Sequence, residues 1–249
     1  MLKIILSGAC GRMGRQVAAL AEDMLCEIVA GVDVNGDKET GFLVYPSFSM
    51  VEEEAQEIID FSRPEGLGAL LDYAKAHRLP AVLAATGYNE DDLSAIREAA
   101  GEIPVFRSAN MSLGVYVLKA LSRQAAQLLP GFDIEIIEKH HNQKLDAPSG
   151  TALMLYDAVS GESTVPVFGR NGRTQKREKN EIGIHAIRGG TVPGEHEVGF
   201  YGPGEVVTIT HSAQDRSIFA RGALQAARFI AAQKPGEYAM DDLARDMLK

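Results

Sequence analysis

The stretch Leu2-Lys3-Ile4-Ile5-Leu6-Ser7-Gly8-Ala9-Cys10-Gly11-Arg12-Met13-Gly14 decides the fold of the first half of this chain. An apolar run of strand length leads directly into glycines and then into a helical pattern over 12–24. Glycines allow a tight turn and close packing of helix on strand, and the helix N-terminus attracts a pyrophosphate. The spacing departs from G-x-G-x-x-G, since Cys10 holds the place of the central glycine. A turn without a ligand is the alternative.

Strand and helix patterns continue to alternate beyond this stretch. Apolar runs of strand length lie at 27–32, 58–61, 81–85 and 105–106, and helical patterns lie at 67–77 and 91–100. Such alternation predicts a parallel sheet with right-handed crossovers. The carboxyl ends of its strands would bring together the turn-rich segments 7–11, 60–64, 86–88 and 108–110, and a ligand is expected there.

An acidic residue, Asp33, ends the second predicted strand about twenty residues after the glycines. Its carboxylate would accept hydrogen bonds from the ribose hydroxyls of NADH and repel the 2′-phosphate of NADPH. Val34 follows in place of an arginine, although Arg12 and Lys38 could supply positive charge for NADPH. NADH is therefore favoured, and NADPH remains open. The alternative is a turn residue beside Asn35-Gly36.

The pattern changes after a predicted helix over 113–129. Strands are indicated at 132–138, 182–187, 195–201 and 206–211, with one helix at 151–159 and another at 217–233. This arrangement is α+β, so a second domain is expected. Basic residues between 170 and 180, Arg173 among them, form either a lid or an ordinary surface loop.

Composition narrows the classes of function. The 249 residues carry 25 Lys+Arg and 34 Asp+Glu, a formal net charge of −9, which argues against nucleic-acid binding. Two cysteines make no disulfide framework and no paired metal clip. Neither a signal-peptide core nor a membrane-spanning run is found, so a cytoplasmic protein is expected. An acidic protein that binds an anion must concentrate positive charge in one place.

Such a concentration lies in Glu138-Lys139-His140-His141-Asn142-Gln143-Lys144-Leu145-Asp146-Ala147-Pro148-Ser149-Gly150-Thr151. Pro148 and Ser149 suit a helix N-terminus, whose N–H groups at Gly150 and Thr151 would point at an anion. Three interpretations compete for the adjacent histidines: zinc ligation, structural caps of a strand, and general acid catalysis. General acid chemistry is favoured, and no metal is expected. Four further histidines are isolated and are interpreted as structural or surface residues: His77, His185, His196 and His211.

Several of these segments together resemble the 4-hydroxy-tetrahydrodipicolinate (dihydrodipicolinate) reductase family. The resemblance is carried in order along the chain by residues 11–14, 60–65, 85–87, 108–114 and, above all, 138–151. It implies a Rossmann dinucleotide-binding domain of residues 1–109 and 213–249. It also implies an α+β domain of residues 110–212 that binds substrate and builds a homotetramer.

The resemblance further implies roles for individual residues. His140 would be the proton donor or acceptor and Lys144 a second catalytic donor. The substrate carboxylates would bind His141, Ser149, Gly150, Thr151 and Arg188. The cofactor would lie on Gly8, Ala9, Cys10, Gly11, Arg12, Met13 and Asp33. Its nicotinamide end would lie near Ala84, Ala85, Thr86, Ser108, Ala109, Asn110 and Met111.

The reaction implied is reduction of 4-hydroxy-tetrahydrodipicolinate, or its dehydrated form, by NADH or NADPH in the diaminopimelate route to lysine. Cys10 and Val34 depart from the family pattern and bear on cofactor choice. Two alternatives remain: a non-catalytic NADH sensor, and a related amino-acid or aldehyde dehydrogenase. The partner expected is a small dicarboxylate, with no nucleic acid and no membrane.

Overall fold

The computed structural model describes residues 1–36, 40–172 and 176–249. The strands are β1 (Leu2–Ser7), β2 (Cys26–Val32), β3 (Leu43–Tyr45), β4 (Glu57–Asp60), β5 (Ala81–Leu83), β6 (Pro104–Arg107), β7 (Asp133–His140), β8 (Val165–Phe168), β9 (Glu181–Arg188), β10 (Gly194–Gly202), β11 (Glu205–Ala213) and β12 (Gly236–Tyr238). The helices are α1 (Arg12–Leu20), α2 (Leu67–His77), α3 (Glu90–Ala100), α4 (Leu113–Leu128), α5 (Gly150–Val159), α6 (Ser217–Ile230) and α7 (Met240–Met247). None of the described helices is long and apolar enough to cross a bilayer.

The chain divides into two compact units, Met1–Leu113 with Arg216–Lys249, and Gly114–Asp215. The first unit contains a seven-stranded sheet in the order β12-β6-β5-β4-β1-β2-β3. Every pair of neighbours in this sheet is parallel. The carboxyl ends of the strands therefore share one edge, where the loops after β1, β2, β4, β5 and β6 begin. The predicted α/β fold with a parallel sheet is confirmed.

Helices bury the sheet of the first unit. Leu70 of α2 and Ile96 of α3 are at most 1% exposed and pack in one cluster with Leu83 of β5. Near-continuous apolar strands are typical of a parallel sheet covered on both faces. On α6, Gly222 permits a close approach, because a Cβ there would lie 1.7 Å from the carbonyl oxygen of Met111.

Some predicted boundaries in the first unit are wrong. The helix predicted over 12–24 ends at Leu20, and a 3₁₀ turn over Glu22–Met24 follows it. Leu25 then takes a left-handed conformation, with φ of 60°, which ends the helical path. The short strands β3 and β12 were not predicted, since three residues carry too little periodicity.

The second unit contains a mixed five-stranded sheet in the order β11-β10-β7-β9-β8. β10 is antiparallel to β7 and β11, whereas β9 is parallel to β7 and β8. One face carries the core, in which Leu155 of α5 packs with Ile136 of β7 and Phe200 of β10, all fully buried. The α+β pattern predicted for this part of the chain is confirmed.

The other face of β7 carries a charged cluster around Glu135, because successive side chains of a strand alternate between faces. Its carboxylate pairs with Arg170 at 3.0 Å, with Arg177 at 3.1 Å and with His185 at 2.8 Å. Both ends of the predicted basic loop are therefore held against the sheet. Arg173 lies outside the described residues.

Candidate active site

The loop after β1 is shaped by two glycines, Gly8 and Gly11. Gly8 has a φ of +74°, and a Cβ there would lie 2.7 Å from the carbonyl carbon and oxygen of Phe61. Gly11 is the N-cap of α1, and its N–H donates to the Gly8 carbonyl oxygen at 3.1 Å. Arg12 and Met13 begin the helix, so the predicted loop leads straight into a helix N-terminus. This backbone fits a pyrophosphate.

Asp33 lies next to this loop. Its Oδ2 accepts from the Cys10 backbone N–H at 3.1 Å, and its Oδ1 accepts from the Asn35 N–H at 3.0 Å. An ionised carboxylate offers about four acceptor positions, so capacity for a ribose hydroxyl remains on both oxygens. Val34 is 86% exposed, and Lys38 lies outside the described residues. The residues of the loop and Asp33 therefore fit a dinucleotide.

The remaining predicted cofactor residues follow β5 and β6 at the same edge of the sheet. Ala84 and Ala85 are buried, and Thr86 is exposed. Ser108 Oγ donates to the Asn110 carbonyl oxygen at 2.7 Å, and this bond shapes the turn that contains Ala109. Met111 ends the turn and is buried against α6.

Asp60, at the carboxyl end of β4, was not predicted as a site residue. It is 1% exposed, and its Oδ1 accepts from the Ser62 N–H at 3.0 Å while its Oδ2 accepts from the Tyr88 hydroxyl at 3.4 Å. Burial raises the pKa of Asp60, and this effect exceeds that of the hydrogen bonds, which lower it. Burial and the Asp60 charge raise the pKa of Tyr88. Asp60 thus joins the loop after β4 to the loop after β5.

The second unit places the histidine-rich segment at the end of β7. The strand extends to His140, two residues beyond its predicted end, because His140 still pairs with Arg188 of β9. His140 Nδ1 lies 2.6 Å from Oε2 of Glu138, which is fully buried on the same face of the strand. The histidine is therefore part of the sheet rather than of the loop that follows.

Opposing effects set the ionisation of this pair. Burial raises the pKa of Glu138, but hydrogen bonds from Arg188, His140 and the Ser149 N–H outweigh it, so the net pKa is lowered. Burial lowers the pKa of His140, and the hydrogen bond to Glu138 offsets only part of that decrease. Glu138 is consequently an anion at neutral pH, and His140 is a weaker base than a free histidine.

The helix N-terminus predicted after Pro148 is present, with α5 beginning at Gly150 and Thr151 in its first turn. Ser149 is the N-cap, and its Oγ accepts from the Ala152 N–H at 3.2 Å. The same Oγ lies 3.2 Å from Nε2 of His196, and burial lowers the pKa of that histidine to about 4. The hydroxyl of Ser149 is therefore held from two sides, by the Ala152 N–H and by His196.

The other predicted substrate residues surround this helix start. Lys144 Nζ lies 2.8 Å from Asp146 Oδ1. His141 is half-buried, and its backbone N–H donates to the Val192 carbonyl oxygen at 2.8 Å. Arg188 donates to both oxygens of Glu138 at 2.7 Å and to the Asp146 carbonyl oxygen at 2.7 Å. The guanidinium of Arg188 is thus bound to protein groups, and its predicted bond to a substrate carboxylate stays a prediction.

Sequence reasoning missed two buried residues of this unit. Glu138 was quoted only as part of the segment, and His196 was interpreted as an isolated histidine. The ring of His196 lies 5.1 Å from that of His140, at an interplanar angle of 75°. Alternating positions on β7 would have placed Glu138 on the same face as His140. Nothing in the sequence signals that β10 brings His196 beside them.

Comparisons with known proteins agree along the whole chain. Residues 2–111 match the family model described as "Dihydrodipicolinate reductase, N-terminus", and residues 114–244 match "Dihydrodipicolinate reductase, C-terminus". A 4-hydroxy-tetrahydrodipicolinate reductase of Caldanaerobacter subterraneus is 52% identical, covering 98% of this chain and 99% of its own. A 4-hydroxy-tetrahydrodipicolinate reductase of Clostridium novyi is 46% identical, covering 98% of this chain and 99% of its own.

A solved structure of similar fold is the dipicolinate-bound dihydrodipicolinate reductase from Paenisporosarcina sp. TG-14. Its TM-score is 0.79 at 22% identity, with 97% of this chain and 99% of that chain covered. The two family models together span nearly all of the sequence. The chain therefore belongs to the dihydrodipicolinate reductase family.

Proposed function

We propose that this chain reduces 4-hydroxy-tetrahydrodipicolinate, or its dehydrated form, to tetrahydrodipicolinate with NADH or NADPH, in the diaminopimelate route to lysine. One observation carries the proposal: residues 138–151 fold into a buried carboxylate–histidine pair, a lysine and a helix N-terminus. These groups suit an anionic substrate that must also be given a proton. Family membership supplies the identity of that substrate.

The first unit would hold the cofactor on its glycine-rich loop and Asp33. The turn from Gly8 to Gly11 would lie against the pyrophosphate, with the N–H groups of the first turn of α1 facing it, and Asp33 would accept from the adenosine ribose. The loops 84–86 and 108–111 would hold the nicotinamide end. When bound, the cofactor supplies a hydride. Asp33 followed by the uncharged Val34 favours NADH over NADPH.

The second unit would bind the dicarboxylate and supply the proton. The first turn of α5, capped by Ser149, would present the backbone N–H groups of Gly150 and Thr151 to one carboxylate of the substrate. Lys144 and His141, which lie close to this turn in the sequence, would add further donors. Lys144 would release Asp146 and bind the substrate instead. Arg188 would contribute to substrate binding from its fixed position beside Glu138.

His140 would protonate the substrate as negative charge develops. Its side chain is 10% exposed, so it is largely shielded from water yet still accessible. A positioned acid of this kind contributes about 10²- to 10⁴-fold to a rate. Lys144, a cation, would stabilise the same developing charge.

We also propose that the enzyme is a cytoplasmic homotetramer. Within the described part of the chain, α4 and α5 pack on the face of the sheet that carries Ile136, whereas Tyr201 and Val206 are exposed on the face around Glu135. No disulfide joins Cys10 and Cys26, which suits a reducing compartment. Light scattering of the purified protein should give a mass of about four times 26.8 kDa. A monomer mass at all concentrations would contradict the assembly.

The direct test is NADH and NADPH oxidation in a coupled assay, with pyruvate, aspartate semialdehyde and dihydrodipicolinate synthase generating the substrate. Oxidation that depends on the synthase is expected, faster with NADH. His140→Gln and Lys144→Ala should each lower turnover by about 10²-fold or more, because each removes a proton donor or cation at the reacting substrate. Folded protein without activity towards either cofactor would refute the proposal.

A further inference from the structure

Glu138 makes four hydrogen bonds, more than any other acidic side chain in the described part of the second unit. It is 0% exposed and lies on the core face of β7. Oε2 lies 2.6 Å from His140 Nδ1 and 2.7 Å from Arg188 Nη1, while Oε1 accepts from Arg188 Nη2 at 2.7 Å and from the Ser149 N–H at 3.0 Å. Four donors therefore occupy the roughly four acceptor positions that an ionised carboxylate has.

This bonding determines which nitrogen of His140 carries a proton. An ionised carboxylate only accepts, so Nδ1 must be the donor in the bond to Glu138. Neutral His140 then has its lone pair on Nε2, and protonated His140 donates from Nε2. That atom faces Gly194 of β10, since a Cβ on Gly194 would lie 3.1 Å from it. Glycine at this position leaves space beside Nε2.

We propose that Glu138 is a positioning residue for the reaction: it holds His140 with a proton on Nδ1, so that Nε2 is the atom that exchanges a proton with the substrate. The same carboxylate ties Arg188 and the N-cap Ser149 to that histidine. One buried side chain therefore aligns the proton donor with the helix start that would bind the substrate carboxylate. This inference rests on the proposed function only in giving His140 the role of acid.

The charges around His140 show why the carboxylate matters for protonation as well as for orientation. Those facing it are Glu138 on β7, Arg188 on β9, His196 on β10, and Lys144 with its partner Asp146 in the loop before α5. Burial, Lys144 and Arg188 all lower the pKa of His140, and Glu138 is the group that raises it. Removing the charge of Glu138 would therefore lower that pKa further.

Glu138→Gln separates positioning from simple support of the fold. The amide keeps the shape of the side chain but turns an NH₂ group towards donors, so either His140 or Ser149 loses its acceptor. We expect kcat to fall by about 10- to 100-fold, as for partners that orient a catalytic group. We also expect the alkaline fall of kcat/KM, which follows deprotonation of the acid, to move to lower pH.

Glu135→Gln is the matched control. Glu135 lies on the same strand and, like Glu138, pairs with a histidine and with arginine, but on the opposite face of the sheet. Its replacement should leave kcat and the pH profile of kcat/KM as in the unchanged protein. A Glu138→Gln enzyme with reduced kcat but an unmoved alkaline limb, or the same shift in Glu135→Gln, would overturn the positioning role.

A measurement on the unchanged protein depends neither on activity nor on the folding of Glu138→Gln. Nitrogen-15 NMR of the histidine rings, with the His140 signals assigned by their loss in His140→Gln, should show neutral His140 protonated on Nδ1. Protonation on Nε2 would overturn the inference even in an active enzyme. Protonation on Nδ1 in a protein without reductase activity would instead refute the proposed function alone.

Discussion

Replacing Gly14 with alanine tests whether the glycine-rich loop presents its backbone to the cofactor. A Cβ on Gly14 would lie 2.3 Å from the carbonyl oxygen of Gly8 and 2.7 Å from that of Ala9. Since Cβ contacts below 3.0 Å essentially do not occur, α1 and the loop must separate by about 0.7 Å. Both oxygens are main-chain atoms, so no change of rotamer relieves the contact.

The displacement should weaken both folding and cofactor binding. Overpacking of this kind costs about 1–3 kcal/mol of stability. The Gly8 carbonyl oxygen also accepts from the Gly11 N–H at 3.1 Å, so the turn that faces the pyrophosphate is distorted. If the distortion makes the free energy of NADH binding less favourable by about 1.4 kcal/mol, the Kd for NADH rises about tenfold. Urea unfolding and calorimetric titration with NADH measure the two effects.

Gly68→Ala is the matched control, because Gly68 is also a helical glycine. It is exposed on α2, and no heavy atom lies within 4 Å of a Cβ built there. Alanine should therefore stabilise the protein by about 0.5–1 kcal/mol through helix propensity and leave NADH binding unchanged. The reasoning fails if Gly14→Ala binds NADH with unchanged Kd and unfolds at the same urea concentration as the parent protein.

Three further substitutions test other parts of the structure. Glu57 is fully buried in β4, neither carboxylate oxygen has a partner among the described residues, and burial raises its pKa well above the usual value. The stability that protonated Glu57 contributes is therefore lost as pH rises through that raised pKa. In urea unfolding, Glu57→Gln should exceed the parent protein in stability by more at about pH 8 than at about pH 5. An equal difference at both pH values would contradict this. Asn89→Ala removes the acceptor of the Asp92 N–H at 2.9 Å and should cost about 1 kcal/mol, whereas an unchanged Tm would show that the cap contributes nothing. Leu155→Ala opens the core of the second unit and should cost about 2–5 kcal/mol in urea unfolding, and a loss under 1 kcal/mol would mean that the cavity collapses.

The parts of the fold that depend on short-range sequence were predictable. The run from Leu2 to Gly14 contains the strand, the turn glycines and the helix start, because each of these depends on neighbouring residues. The N-cap at Ser149 was identified for the same reason. The short strand β8, by contrast, was not predicted, because Pro166 interrupts its apolar residues and its parallel pairing with 181–184 of β9 is a long-range contact.

The predicted substrate residues show a similar limit. The segment 138–151 marks where the chemistry lies, since histidines, lysines and a helix start lie together in the chain. It does not show that Arg188, fifty residues away, binds Glu138 rather than solvent. That contact depends on the register between β7 and β9, in which His140 lies opposite Arg188.

The sequence by itself determined the alternating α/β pattern, the glycine-rich loop, the acid at Asp33 and the segment that carries His140 and Lys144, because all of these are set by local spacing. Only the tertiary structure decided that Asp33 accepts from Cys10, that His196 lies beside His140, and that Glu138 binds three partners at once. The reason is physical: strand pairing brings together residues far apart in the chain, and burial then makes each unpaired charge costly enough to require a partner.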